Sequence, residues 1–225
     1  MQIRWLGHSA FSLTHGDTTL LIDPFITGNP VCPVKAEDLN PQYILVTHYH
    51  GDHVGDTIAI AKRTGATVIA THEIAVELNG KGLKTHGLAL GGKFRFDFGL
   101  VRATLAFHGS GIAGGHACGF VVHMGGKRIY HAGDTCLFSD MKLLNGIIED
   151  PGIDVALLPI GDNYTMGPEE AAVAAEWIGA KVAIPMHWGT FPVLTKDVDE
   201  FTRRVAVRGN IRVAVLQPGG THTVE

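Results

Sequence analysis

Short hydrophobic runs separated by polar breaks follow one another along the whole chain, and most of these runs end in Gly, Asp or His. Runs rich in β-branched and aliphatic residues are typical of buried strands. Five such runs are QYILVTH, ATVIATH, DVALLPIGD, AKVAIPMHWG and IRVAVLQPGG, and the fifth is expected to form the last strand. The first 25 residues contain shorter runs, broken by LGH and THGDT, which predict short strands.

Four segments between these strands have the pattern and the end signals of helices. VGDTIAIAKRTG predicts a helix closed by Gly65, and EIAVELNGKG predicts the next one. In GPEEAAVAAEWIG, Pro168 stands at the start and Gly179 at the end, an asymmetry typical of helices. KDVDEFTRRVAVRG predicts the fourth helix.

Two further segments predict strands that pair through local turns. KFRFDFGLVRATLAFH alternates in the manner of paired strands, and GFVVHMGGKRIYHAGDT predicts a hairpin that turns at Gly125-Gly126. Hairpin-rich stretches mixed with strand–helix units occur twice along the chain, and no linker or low-complexity segment divides it. We therefore expect one domain over residues 1–225, an α/β (α+β) four-layer αββα sandwich with two mixed sheets and helices outside.

Composition narrows the classes of protein that fit this pattern. A chain of 225 residues with 45% hydrophobic and 18% charged residues can bury a sizeable core. Its net charge of −4 and the lack of a basic run do not favour binding to nucleic acid. No stretch approaches 18 apolar residues, and the first residues lack the pattern of a signal peptide. Three widely spaced cysteines favour reduced thiols, so we expect a cytoplasmic protein with no membrane partner.

The segment VTHYHGDHVG concentrates four potential metal ligands in six positions: His48, His50, Asp52 and His53. His48 and His50 are two residues apart, so in extended backbone their side chains point to the same side. Gly51 permits a sharp bend, after which Asp52 and His53 project from turned backbone. The segment can therefore give two ligands to one ion and two to a neighbouring ion, which is too few for both.

Three other predicted strand ends offer the missing ligands: His108, Asp134 and His187. Each lies where the strands of a mixed sheet bring side chains to a common rim. Taken singly, His108 can be a turn residue, Asp134 a turn or N-capping residue, and His187 a histidine satisfied in the core. Taken together with the HYHGDH segment, the set indicates a metal site.

HYHGDH matches the H-x-H-x-D-H signature of the metallo-β-lactamase superfamily, and the later His, Asp (in GDT) and His follow in that family's order. The chain thus resembles this superfamily over nearly its whole length, which implies the four-layer fold and two divalent metal ions. The resemblance also implies a ligand set in three parts. These are His48, His50 and His108 for the first ion, Asp52, His53 and His187 for the second, and Asp134 as the bridge.

The same resemblance implies a mechanism of hydrolysis. Two divalent ions can share a water and lower its pKa toward neutrality, so a metal-bridging hydroxide would be the nucleophile. Asp52 is the candidate catalytic residue that orients this nucleophile and accepts or relays its proton. Imidazole-rich sites suit zinc, although manganese, iron and nickel also bind N and O ligands.

Within the superfamily, WLGHSAF, LLIDPF and IGDNYTMGPEEA are similar to segments of the small hydrolases that include the ascorbate-6-phosphate lactonase. This resemblance implies that His8 and Asp23 lie near the metal centre. Asp23 can be the partner of a ligating histidine, or it can simply turn the chain before Pro24.

Three more residues are candidates for contact with a substrate. Asn163 and Thr165 precede the helix that begins near Pro168, where they can reach a ligand or cap the helix. Glu170 stands at a plausible N3 position of that helix. His116 lies in the loop GSGIAGGHACG and can face the substrate or be an exposed loop residue.

We therefore expect an enzyme, a metal-dependent hydrolase of a small ester, lactone, amide or phosphoester. The alternatives are a nucleic-acid phosphodiesterase, a di-iron redox protein and a metal-binding module. Nuclease relatives resemble longer chains with added RNA-binding parts, and the redox group has Glu where this chain has His50. The intact bridging aspartate argues against a module that only binds metal. Likeness to relatives also leads us to expect a homo-oligomer.

Overall fold

The computed structural model describes all 225 residues, and its first sheet draws six of seven strands from the N-terminal part of the chain. These strands are β1 (Gln2–Gly7), β2 (Ala10–His15), β3 (Thr18–Ile22), β4 (Tyr43–Leu45), β5 (Thr67–Thr71), β6 (Thr85–Leu88) and, from the C-terminus, β14 (Thr221–Thr223). Their order is β14-β1-β2-β3-β4-β5-β6. Pairing is antiparallel from β14 to β3 and parallel from β3 to β6, so the sheet is mixed.

The second sheet repeats this plan with the remaining seven strands. They are β7 (Lys93–Phe96), β8 (Gly99–Leu105), β9 (Cys118–Met124), β10 (Lys127–His131), β11 (Val155–Pro159), β12 (Val182–Met186) and β13 (Arg212–Val213). The order is β13-β12-β11-β10-β9-β8-β7, antiparallel from β7 to β10 and parallel from β10 to β13. The hairpin predicted at Gly125-Gly126 joins β9 to β10, with φ of 58° and 75° at the two glycines.

The chain forms five helices, and all but the first cover the outer faces of the sheets. They are α1 (Gly51–Val54), α2 (Thr57–Thr64), α3 (His72–Gly80), α4 (Pro168–Ile178) and α5 (Asp199–Ala206), with 3-10 turns at Ala36–Asp38 and Ser139–Leu144. Gly65 and Gly179 end α2 and α4 in the left-handed conformation, as predicted. None of these helices has the length and hydropathy needed to cross a membrane.

Strand alternation builds the layers. In β4, Ile44 joins a hydrophobic cluster beneath α2 and α3, whereas Leu45 joins the cluster shared by both sheets and the other two long helices. Side chains of a strand point alternately to opposite faces, so each sheet contributes to two packed layers. Burial of an aliphatic side chain such as these contributes about 1.5–3 kcal/mol. The arrangement is helix, sheet, sheet, helix, which confirms the predicted αββα sandwich.

The sequence did not predict two edge strands, β6 and β14, and it predicted a longer β13 than the structure has. The segment expected to form the last strand is regular only over β13, and the chain then returns to the first sheet, where β14 pairs with β1. The sequence of β14 is Thr-His-Thr and that of β6 is Thr-His-Gly-Leu. Neither is a hydrophobic run, because both strands lie at sheet edges and bury few side chains.

Candidate metal centre

Loops at one rim of the two sheets bring a cluster of histidines and aspartates together. We call it the metal-centre cluster, and its members are His8, His48, His50, Asp52, His53, His108, Asp134 and His187. His48 and His50 follow β4, His108 follows β8, Asp134 follows β10 and His187 follows β12. Strand ends therefore deliver five of the seven residues predicted as ligands to one place, and α1 delivers the other two, Asp52 and His53.

The first part of the cluster contains three imidazoles. Each of His48, His50 and His108 has one ring nitrogen in this part, and these three nitrogens lie within 4.8 Å of one another. The backbone N–H of Tyr49 donates to the carbonyl of Ser110 at 2.7 Å and holds their two loops together. Gly111 permits this approach, because a Cβ there would lie 2.6 Å from the Tyr49 carbonyl carbon. Three convergent imidazoles are a common ligand set for zinc.

The second part of the cluster contains His8, Asp52, His53 and His187, whose ligand atoms also lie within 4.8 Å of one another. Helix α1 begins at Gly51, and its single turn brings Asp52 and His53 to His8 and His187, while the centre of the His53 ring also lies 4.0 Å from that of His48. Asp52 thus belongs to the second part alone, whereas His53 also lies within 4.8 Å of His48 and Asp134.

Asp134 lies between the two parts and is 3% exposed. Its Oδ2 is 3.1 Å from His187 Nε2, 3.3 Å from His53 Nε2 and 3.7 Å from His108 Nε2. A carboxylate in contact with histidines of both parts has the position that a bridging ligand requires.

Asp23 supports the cluster from below through a buried set of hydrogen bonds. Its Oδ2 accepts from Thr47 Oγ1 at 2.6 Å and lies 2.7 Å from His53 Nδ1, and its Oδ1 accepts from the Thr47 backbone N–H. Because the Thr47 hydroxyl donates its one proton to Asp23, His48 Nδ1 must donate to that hydroxyl, 3.0 Å away. These bonds leave Nε2 of His48 and of His53 directed at the cluster. Asp23 is therefore a partner of a candidate ligand, and it also makes the turn before Pro24.

Several buried ligand atoms of the cluster have no hydrogen-bond partner. They are Nε2 of His48, Nε2 of His53 and Oδ1 of Asp134. A buried polar atom without a partner costs free energy. A divalent cation that accepts lone pairs from such atoms removes this cost, so the residues present fit the metal ions that the fold implies.

Electrostatics sets the protonation of the two kinds of ligand. Burial, reinforced by His53, lowers the pKa of His48 to about 2, and burial also lowers the pKa of His108. Both rings are thus neutral and can donate a lone pair. Burial raises the pKa of Asp134, but His53 and His187 outweigh it and hold that pKa well below its ordinary value, so the carboxylate is ionised.

His53 behaves in the opposite way. Burial lowers its pKa, but Asp134 and Asp23 outweigh burial and hold the pKa well above its ordinary value. A metal ion bound here would compete with a proton for this ring, as is general for ligands that must be deprotonated.

Backbone strain coincides with the cluster. The non-glycine residues with positive φ are His8 (54°), Asp23 (46°), His187 (57°) and Asp162 (69°), and three of these four belong to or support the cluster. The left-handed region is unfavourable for residues with a side chain, and such strain concentrates at functional sites. No feature of the sequence predicted it.

The three residues proposed for substrate contact lie outside the cluster. His116 is exposed, its side chain makes no hydrogen bond, and it borders a separate groove with Thr71 and His72. Asn163 and Thr165 are in a loop that reaches the rim, because the backbone N–H of Met166 donates to the carbonyl next to Asp134.

The interpretation of Asn163 and Thr165 as helix caps is wrong. Gly167 occupies the N-cap position of α4, with no side-chain hydrogen bond, and its N–H donates to Glu170 at the predicted N3 position. Thr165 Oγ1 donates to the adjacent Met166 carbonyl instead, and Asn163 makes no side-chain hydrogen bond.

Sequence reasoning did not connect His8 with three residues that it contacts. Thr190 Oγ1 lies 2.6 Å from His8 Nδ1, and the rings of Phe25 and Phe191 meet the His8 ring edge-on at 5.8 and 5.2 Å. Thr190 and Phe191 stand three and four residues after His187, and this proximity along the chain is the one signal that pointed to them.

Comparisons with known proteins agree with this geometry. The family model described as "Beta-lactamase superfamily domain" matches residues 18–188. A UPF0173 metal-dependent hydrolase of Symbiobacterium thermophilum is 72% identical over 224 residues, covering 100% of both chains. Another, of Heliobacterium modesticaldum, is 50% identical over 100% of this chain and 98% of its own. The structure of Igni18, a metallo hydrolase of the archaeon Ignicoccus hospitalis, superposes with a TM-score of 0.92 and 37% identity, covering 100% of this chain and 98% of that one.

Proposed function

This chain belongs to the β-lactamase superfamily domain family and is a metal-dependent hydrolase, and from that premise we propose that it hydrolyses a small ester, lactone, amide or phosphoester at a dinuclear metal centre. The observation that carries the proposal is the division of the metal-centre cluster into two ligand groups with Asp134 between them. One ion does not account for both groups.

The residues of the cluster have separable roles in this proposal. His48, His50 and His108 would hold one ion, Asp52, His53 and His187 would hold the other, and Asp134 would contact both. When bound, such ions supply an activated water and polarise the bond under attack. Zinc suits this donor set, and manganese, iron or nickel are the alternatives.

Asp52 is the candidate for proton transfer. Its side chain is 28% exposed, whereas that of Asp134 is 3% exposed, so Asp52 is the carboxylate that a substrate can approach. Burial raises the pKa of Asp52, but the hydrogen bond with His8 and the nearby His53 outweigh burial. The net effect lowers that pKa below its ordinary value, so the group is ionised. An ionised carboxylate at the edge of the cluster can orient a water and accept its proton.

The charge of the surrounding loops favours a small substrate without a phosphodiester backbone. Six loops enclose the cluster, at residues 24–31, 47–56, 107–117, 134–139, 161–167 and 187–196. They contain no Arg and one Lys, at position 196. Nucleic-acid binding relies on several phosphate contacts from Lys and Arg, so these loops give less support to a nucleic-acid phosphodiesterase.

A reconstitution assay tests the proposal. The protein is stripped of metal with a chelator, reloaded with zinc or manganese, and assayed on generic esters, lactones, amides, bis-p-nitrophenyl phosphate and single-stranded RNA. We expect hydrolysis of at least one small substrate, lost on chelation and restored by metal. Asp17→Asn is the control variant, because Asp17 lies on an exposed turn outside the cluster and its loops. Uptake of two ions without hydrolysis of any substrate would instead favour a metal-binding module.

A further inference from the structure

On the basis of the proposed dinuclear centre, we propose that His8 is a direct ligand of the second ion, and that it makes the second site the more fully enclosed of the two. The superfamily signature does not include a residue at this position, and likeness to relatives places His8 only near the centre.

The distances fit a ligand. One ring nitrogen of His8 lies within 4.8 Å of the ligand atoms of Asp52, His53 and His187, and Nε2 is 3.2 Å from Asp52 Oδ2. Zinc binds His nitrogen and carboxylate oxygen at about 2.0–2.2 Å, so the ligand atoms around one ion lie roughly 3–4 Å apart. Nε2 of His8 therefore reaches the ion that the other three residues surround.

The orientation of the ring is fixed from the opposite side. Nδ1 lies 2.6 Å from Thr190 Oγ1, and the side chain is fully buried. A hydrogen bond to the second ring nitrogen is the usual means by which proteins orient a metal-binding histidine. The same relation holds between Asp23 and His53 Nδ1.

The backbone of His8 is also held by two elements of the site. Its carbonyl accepts from Trp5 Nε1 at 2.9 Å and from the backbone N–H of His187 at 3.1 Å. His8 and His187 both have positive φ, and their rings are 4.0 Å apart. The backbone hydrogen bond between these two strained histidines places both rings on the same side of the cluster. A histidine with no role in the site would not need this arrangement.

The two sites then differ in how fully the protein surrounds each ion. The second would have five protein donors, from His8, Asp52, His53, Asp134 and His187, of which four are buried. The first has His48, His50 and His108 together with Asp134, and His50 and His108 are partly exposed. A catalytic ion needs a position that water or substrate can reach, and the partly exposed side of the first site provides it. Substrate would accordingly approach the first ion.

The test compares His8→Gln with His8→Ala, with His15→Gln as the matched control at an exposed position. Glutamine retains an N–H that can hydrogen-bond to Asp52, but it is a poor metal ligand. Metal-free protein is titrated with Co²⁺, and both calorimetry and the visible absorption of the bound cobalt are recorded.

We expect wild type and His15→Gln to bind two equivalents. We expect both His8 variants to lose affinity for one equivalent by at least about 10–100-fold, the cost of disturbing even an outer partner of a ligand, with an altered cobalt spectrum. Wild-type affinity and spectrum in His8→Gln would overturn the proposal and leave His8 as a positioning residue for Asp52.

Anomalous diffraction from the wild-type cobalt protein gives a second measurement that does not depend on a variant folding. A cobalt–Nε2 distance of about 2.0–2.1 Å at His8 supports the proposal, and one beyond about 3 Å overturns it. If the wild-type protein binds only one equivalent of cobalt, the dinuclear centre is contradicted, but the role of His8 is not. Loss of that one equivalent in His8→Gln would still identify His8 as a ligand.

Discussion

Two buried clusters in this molecule combine carboxylates with histidines, and they differ in how their polar atoms are paired. One is the metal-centre cluster. The other, which we call the Glu149 cluster, consists of Glu149, Arg102, His123 and Arg128 on the outer side of the second sheet. Glu149 is 2% exposed, about as buried as Asp134 at 3%.

The Glu149 cluster pairs both of its carboxylate oxygens within the protein, and its one buried atom without a hydrogen bond, Arg128 Nε, carries a proton and cannot bind a cation. Glu149 Oε1 accepts from Arg102 Nε at 2.6 Å, and Oε2 lies 2.5 Å from His123 Nε2. Burial raises the pKa of Glu149, but the hydrogen bonds from His123 and Arg102 outweigh it and lower that pKa. The metal-centre cluster instead leaves Nε2 of His48 and of His53 without partners. Composition and burial alone thus do not distinguish a metal site from an ion-pair network, whereas unpartnered ligand atoms that converge do.

The largest effect is expected from the residue between the two ligand groups. Asp134→Ala should lose at least one metal ion and reduce hydrolysis by at least about 100-fold, since disturbing an outer partner of a ligand already costs 10–100-fold. Metal content by elemental analysis and kcat/KM would be measured, with circular dichroism to check the fold. Full metal content with normal turnover would remove Asp134 from the centre.

The next effect concerns the identity of the metal. His50→Glu replaces an imidazole of the first group with a carboxylate, a ligand that suits harder ions. We expect weaker zinc-dependent hydrolysis and a shift in preference toward iron, measured by metal uptake from a mixture of zinc and iron and by activity with each. Unchanged zinc-dependent hydrolysis would mean that His50 is not a ligand.

A smaller effect is expected from the support beneath the centre. Asp23→Asn weakens the contact with His53 Nδ1 at 2.7 Å and lets the ring turn. Loss of such a partner typically lowers metal affinity by about 10–100-fold. Asp17→Asn is the matched control on an exposed turn. Equal zinc affinities in the two variants would show that Asp23 has only a structural role.

The Glu149 cluster should respond in stability and not in metal binding. Glu149→Gln leaves Arg102 without its charged partner and should lower the free energy of unfolding by about 3 kcal/mol, the usual order for breaking a buried pair. Two ions should still bind. Denaturant unfolding would measure the stability and elemental analysis the metal content. A loss of metal in Glu149→Gln would contradict the distinction between the two clusters.

The pH dependence of stability provides a further check on Glu149. Its pKa is lower in the folded chain than its ordinary value of 4.5, so its contribution is fully present above pH 4.5 and is lost as pH falls through the folded pKa. Below that range, wild type and Glu149→Gln should become equally stable in unfolding experiments. A difference that persists unchanged at low pH would show that the charge of Glu149 is not the cause.

Much of the fold follows from local patterns in the sequence. Gly65 and Gly179 end their helices with φ of 73° and 65°, and the Gly125-Gly126 turn forms as predicted. These features depend on neighbouring residues alone. Strand β14 is different, because its three polar residues become a strand only where β1, from the other end of the chain, offers a free edge.

The candidate site divides in the same way. Five of the seven predicted ligands follow strand ends and two lie on α1, all in a recognisable order, and the fold brings them together. The approach of His8 to Asp52 and its contact with Thr190 join residues far apart in the chain, and the positive φ of His8 and His187 arises from that packing. Such long-range contacts leave no periodic pattern for sequence reasoning to detect.

The most direct test of the dinuclear centre is the number and position of metal ions in the wild-type protein. Crystals of protein reloaded with zinc would be measured on both sides of the zinc absorption edge. We predict two anomalous peaks roughly 3.5–4 Å apart, one among His48, His50 and His108 and the other among Asp52, His53 and His187, with Asp134 in contact with both. A single peak, or two peaks away from these residues, would contradict it.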